Sequence, residues 1–114
     1  MTDEIFMRLA LAEAEKAKNE DEVPVGAVIV RNGEVIASAY NTREYGKNAL
    51  YHAEIKAIDE ACKRLGGWRL VGCTMYVTLE PCPMCAGAIV NARVERVVYG
   101  APDIRQGHLA QCLT

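Results

Sequence analysis

No apolar stretch in this sequence runs longer than about eight residues, around Val23–Val30, so no segment is long enough to cross a bilayer as a helix. The first residues, Met1-Thr2-Asp3-Glu4, are acidic and do not lead into an apolar stretch, so the layout of a secretory leader is missing. A protein of the reducing cytoplasm, away from membranes, is the expectation. Excess positive charge is missing too: 13 Lys and Arg stand against 15 Asp and Glu, with a pI near 5.7. That balance excludes broad attraction to nucleic acid and confines any RNA contact to a local patch. Basic residues gather only at Lys63-Arg64 and around Arg93 and Arg96. No repeat, low-complexity tract or linker divides the chain. Its 114 residues make one domain, able to bury about 65% of the extended-chain surface. The five cysteines (62, 73, 82, 85 and 112) are odd in number and include one Cys-x-x-Cys pair. In a reducing compartment that points to metal or redox chemistry and not to a disulfide framework.

The pattern along the chain predicts the order α-β-β-α-β-α-β. Residues 3–18 read as an amphipathic helix, with Ile5, Leu9, Ala12 and Lys16 on one stripe and Phe6, Ala10 and Ala14 beside it. Acidic residues open that helix and Lys16 and Lys18 close it, matching the helix dipole. Residues 25–31 and 34–40 are β-rich runs joined by Asn32-Gly33, a strong hairpin signal because both turn positions need positive φ. Residues 41–50 have no period and read as a loop. Residues 51–65 are helical, with Ile55, Ile58, Ala61 and Cys62 on one face and Gly66-Gly67 as the stop. Residues 74–79 form a strand, Pro81 and Pro83 open a helix to about Ala92, and residues 96–99 form a short strand ended by Gly100. An initial hairpin followed by alternating helices and strands implies a mixed sheet with helices on its faces.

Two short motifs carry the chemistry. His52-Ala53-Glu54 stands at the start of the second helical segment, and Pro81-Cys82-Pro83-Met84-Cys85 at the start of the third. Zinc accepts imidazole nitrogen and thiolate sulfur in a tetrahedron, and a Cys-x-x-Cys at a helix start presents both sulfurs to one ion. The helix N-terminus also favours thiolate, the form that binds metal. His52, Cys82 and Cys85 make three ligands, which leaves a position for water, as in catalytic zinc sites. Zinc lowers the pKa of such water towards about 7. Glu54 is placed to move protons. In a regular helix, positions i and i+2 point about 200° apart, so Glu54 and His52 converge only if His52 precedes the helix proper. Alone, a Cys-x-x-Cys is equally a redox pair or core, and a His-x-Glu is ordinary. In this order, with Pro before the first Cys, the two match the zinc deaminase pattern His-x-Glu…Pro-Cys-x-x-Cys.

From about Leu9 to about Gly107 the chain resembles the cytidine deaminase-like superfamily, and within it the bacterial tRNA-specific adenosine deaminases. The resemblance rests on residues 22–28 (Glu-Val-Pro-Val-Gly-Ala-Val), Asn41, His52-Ala53-Glu54-Ile55, residues 76–88 around Thr78-Leu79-Glu80-Pro81-Cys82, and residues 97–103. It implies a three-layer α/β/α sandwich around a mixed five-stranded sheet, one Zn2+ per subunit and a homodimer. It implies hydrolysis of adenosine to inosine at the wobble position of a tRNA anticodon loop. Glu54 would be the proton carrier, Asn41 would contact the base, the Ala53 N–H would lie near the reacting centre, and Val25 would border the base. Asp103 matches a position near the substrate. Where the family carries Asp-Pro-Thr-Ala before the histidine, this chain has Asn48-Ala49-Leu50-Tyr51, which puts Tyr51 at the pocket. The expected domain is residues 1–114, without the family's basic C-terminal helix.

Residues 60–66 also resemble bacterial guanine deaminases, so a free nucleobase or nucleoside is the alternative substrate. Two further readings stay open. A zinc-stabilised binding module would need a fourth protein ligand, and a thiol-disulfide oxidoreductase would need Cys82 and Cys85 metal-free. Cys62 and Cys73 read as core thiols, Trp68 as packing, and His108 and Cys112 as tail residues.

Overall fold

A computed structural model of the chain describes residues 2–101. Its elements are α1 (Asp3–Asn19), β1 (Gly26–Arg31), β2 (Glu34–Tyr40), α2 (Ala53–Leu65), β3 (Cys73–Leu79), α3 (Pro83–Asn91) and β4 (Arg96–Ala101). The order is the one the sequence pattern predicts. The strand count differs from the resemblance. The sheet of the described residues has four strands, ordered β2-β1-β3-β4, and not five. Only four β-rich runs occur up to Ala101, and residues beyond it lie outside the described part.

β1 pairs antiparallel with both β2 and β3, and β3 pairs parallel with β4. β2, β3 and β4 therefore run one way and β1 the other. The Asn32-Gly33 turn has φ of 53° and 77°, as a type I′ hairpin requires. β1 is buried on both sides and alternates accordingly. Ala27 and Ile29 face one core with Met75 and Val77 of β3, whereas Val28 and Val30 face the other with Tyr76. α2 and α3 cover the first core through Ala53, Ala57, Ala61 and Ile89. α1 covers the second through Phe6 and Ala10, with the Phe6 ring 5.2 Å from that of Tyr76. The three α/β/α layers follow from that alternation.

The buried side of α1 is not the stripe that hydrophobicity selects. Phe6, Ala10, Glu13, Ala14 and Ala17 are buried, while Ile5 and Leu9 are each 43% exposed. The reason is close approach. A Cβ placed on Gly26 would stand 2.1 Å from the Ala10 carbonyl oxygen and 2.4 Å from the Ala14 nitrogen. Helix and strand backbones nearly touch there, and only small residues fit. α2 behaves likewise: its fully buried apolar residues are alanines, with Ile58, Cys62 and Leu65 packed at the flank.

Candidate metal centre

Because β2 and β3 run in the same direction, the chain leaves both at the same rim of the sheet. α2 and α3 begin there, which brings their first turns together. His52 is the N-cap of α2, with extended dihedrals (φ −76°, ψ 152°), and Cys82 is the N-cap of α3 (φ −69°, ψ 170°). Pro83 holds the first helical position of α3, where its missing N–H costs nothing. His52 thus precedes the helix proper, and the 200° separation of the i and i+2 positions does not apply to it and Glu54.

The His52 Nδ1 lies 3.4 Å from the Cys85 Sγ and 3.7 Å from the Cys82 Sγ. Ligands at zinc bond lengths in a tetrahedron stand about 3.6 Å apart. All the ligand atoms of His52, Cys82 and Cys85 lie within 4.8 Å of one another, and no fourth His, Cys, Asp or Glu joins them among the described residues. A nitrogen and two sulfurs at these separations fit zinc in both donor type and spacing. Burial and the charge of Arg43 hold the His52 imidazole below its usual range, so it is neutral, the ligating form. Burial, with Glu54 and Cys82 alongside, pushes the Cys85 thiol up. A cation is what would release that proton.

Glu54 is 4% exposed, and burial raises its carboxyl to about 7, against hydrogen bonds from its own N–H and from the Cys85 thiol. That puts a carboxyl with a near-neutral pKa in contact with one of the ligands. Asn41 is buried beside it in the chain path. Its Oδ1 accepts the Ala53 N–H at 2.8 Å, and its own N–H donates to the Val25 carbonyl at 3.2 Å. The Ala53 N–H is therefore committed to Asn41, and the amide nitrogen of Asn41 is the part left to donate. Val25 is buried at the start of β1, at this same rim. The Tyr51 ring lies against Gly46 and within 5.9 Å of the Lys56 amine. It walls a cavity of about 450 Å³ whose lining includes none of His52, Glu54, Cys82 or Cys85. Asp103, His108 and Cys112 lie outside the described residues. Cys62 and Cys73 stand apart from the cluster in the core beneath α2.

The profile of the cytidine and deoxycytidylate deaminase zinc-binding region matches residues 1–101. The chain belongs to that family. Among relatives of the chain is the tRNA-specific adenosine deaminase of Bacillus subtilis (strain 168), 60% identical over 105 residues, 92% of this chain. The chain spans about 65% of that relative's length. A solved structure described for A-to-I editing by tRNA:A34 deaminases at the wobble position has a TM-score of 0.89 at 51% identity, covering 91% of this chain and 80% of that one. The guanine deaminase of Bacillus subtilis has a TM-score of 0.87 at 42% identity, covering 90% of this chain and 66% of that one.

Three residues around the site escape a reading of sequence pattern alone. Glu22 is buried, and its carboxylate accepts the Glu44 N–H at 3.1 Å and the Tyr45 N–H at 2.7 Å, fixing the loop before His52. Thr42 donates its N–H to the Tyr51 carbonyl at 3.0 Å, and Lys56 donates to the Thr42 hydroxyl at 2.9 Å. For Glu22 the available signal is an acidic residue set directly before the apolar run 23–30. The other two act through tertiary contacts and have no local signal.

Proposed function

We propose that this domain catalyses hydrolytic deamination of adenosine to inosine at the wobble position of tRNA. The observation that carries the reading is the His52, Cys82 and Cys85 trio with the buried carboxyl of Glu54 against it. The substrate follows from the tRNA-specific deaminases among its relatives. His52, Cys82 and Cys85 hold one zinc ion. When bound, zinc supplies Lewis acidity, which brings the pKa of water towards about 7. Glu54 takes a proton from the water that attacks C6 of adenine and delivers it to N1. It then takes the proton of the C6 hydroxyl and passes it to the amino nitrogen, so that the C–N bond breaks, ammonia leaves and the oxygen becomes the inosine carbonyl. A buried carboxyl beside His52, Cys82 and Cys85 is placed to accept and return protons. Asn41 donates to the base, and Val25 borders it. An adenosine in a flexible anticodon loop is already unstacked, so it reaches the site at low cost.

In this reading residues 1–114 act as one deaminase domain in the cytoplasm and pair as a homodimer. Exposed Met84 and Val90 on α3 offer apolar surface to a second copy. The described residues include no helix long and apolar enough to cross a membrane. A second reading, deamination of a free purine base, is favoured by the likeness to guanine deaminase.

The test is ammonia release with the product identified by mass, from zinc-loaded protein. One substrate is an anticodon stem-loop with a wobble adenosine, and the other is a panel of free bases and nucleosides. Inosine in the stem-loop, reduced about 1,000-fold by Glu54→Gln, supports the tRNA reading. Turnover of a free base with the stem-loop untouched replaces it with the second.

A further inference from the structure

Lys56 lies one turn into α2, its backbone N–H bonded to the His52 carbonyl at 3.1 Å. Its amine donates to the Thr42 hydroxyl at 2.9 Å and to the Tyr40 carbonyl at 3.5 Å. The same amine stands 5.3 Å from the centre of the Tyr40 ring and 5.9 Å from that of Tyr51. Two oxygen acceptors and two aromatic faces thus converge on one half-buried cation. Asn41 sits between the two residues whose oxygens Lys56 holds. We propose that Lys56 is a positioning residue for the substrate, clasping the chain on either side of Asn41 to the first turn of α2. This rests on the deaminase reading and on Asn41 donating to the base.

The geometry explains why a single cation suffices. The segment 42–51 is closed at its neck by the Thr42 N–H bonded to the Tyr51 carbonyl, and the Tyr51 ring packs on Gly46. Asn41 enters that neck already tied to Val25 and Ala53 through one bond each. Backbone bonds also hold the flanking residues, Tyr40 opposite Gly26 in the sheet and Thr42 to Tyr51 and Gly46. The Lys56 amine is what links both of them to the first turn of α2. A cation over aromatic faces is attracted by the ring quadrupoles, and the effect grows where water is partly excluded. Arg would keep the charge and offer more donors. Met would keep the stem and lose both.

The experiment compares Lys56→Met, Lys56→Arg and Thr42→Ala with the parent chain, all zinc-loaded. It reads turnover of the anticodon stem-loop, zinc content, and hydrogen exchange at the Thr42 and Ala53 amides. Lys56→Met is expected to raise KM about tenfold with kcat changed less than about threefold, because the base is held less accurately. Zinc content stays at one per chain, and the two amides exchange about tenfold faster or more, while amides of β1 and β3 keep their protection. Lys56→Arg recovers most of the KM, and Thr42→Ala moves it in the same direction by less. Turnover and exchange like the parent's in Lys56→Met overturn the proposal. So does a loss of turnover that follows zinc content alone. If Lys56→Met does not fold, Thr42→Ala decides by the same readouts. A parent chain that leaves the stem-loop untouched refutes the deaminase reading instead, and the amide exchange then decides the clasp.

Discussion

Cys85 is fully buried and Cys82 half-buried, yet neither is apolar packing, because the His52 nitrogen lies within 3.7 Å of both sulfurs. Their replacement is expected to separate metal binding from folding. Cys85→Ser should lower zinc content well below one per chain, read by atomic absorption. Stripping zinc from the parent with a chelator should lower the melting temperature by roughly 5 °C or more, since an ion that binds only the folded state stabilises it by mass action. Cys62→Ser, in the core away from the cluster, should leave zinc content unchanged. That His52, Cys82 and Cys85 could hold a metal was legible in the sequence for a physical reason. Metal donors cluster at helix starts, and Pro81 and Pro83 mark such a start without any tertiary information. Glu22, Thr42 and Lys56 were not legible, because each acts on a loop with no period through side-chain contacts across 14 to 23 positions.

Among the elements, α1 departs most from its hydrophobic pattern. Its face is chosen by the space available against Gly26 and not by side-chain hydrophobicity, so Ala10 and Ala14 go inside and Ile5 and Leu9 stay half outside. Pattern reading ranks the larger residue as the buried one and has no access to backbone separation. A direct test is Gly26→Val. It should cost about 3 kcal/mol or more in chemical denaturation, because the new carbons meet helix backbone that cannot move aside. Leu9→Ala, on the half-exposed side, should cost less than about 1 kcal/mol. The first three strands were legible to within a residue, since the apolar β-rich run of β1 and the Asn32-Gly33 turn are both local, whereas β4 runs on through Gly100, read as its end, to Ala101. The fifth strand came from resemblance alone, and no β-rich run before Ala101 supplies it.

At the scale of the molecule, a polar cluster at Asp3 ties the start of the α1 layer to the sheet. The Asp3 carboxylate accepts two bonds from Arg96, at 2.9 and 2.6 Å, and one from the Tyr76 hydroxyl at 2.6 Å. The Arg96 guanidinium, helped by Tyr76, holds the Asp3 carboxyl down to about 2. A depressed carboxyl stabilises the fold above its unfolded pKa, near 4, and that stabilisation is lost as pH falls through about 2. Asp3→Asn should therefore unfold at lower urea than the parent at pH 7, with the difference closing between about pH 4 and pH 2. A gap that persists unchanged at pH 2 would count against the ionised contact as its source.

The span of that contact bears on how the protein is made. Arg96 leaves the ribosome 93 positions after Asp3. At synthesis rates of about 5–20 residues per second, the interval is roughly 5 to 20 seconds. Through all of it the Asp3 carboxylate waits for Arg96, whereas Phe6 and Ala10 meet Val28 and Val30 of β1 well before Tyr76 is made. α1 is thus a segment of the nascent chain whose polar tie to the sheet forms late, and a holding chaperone would meet it with that tie unmade.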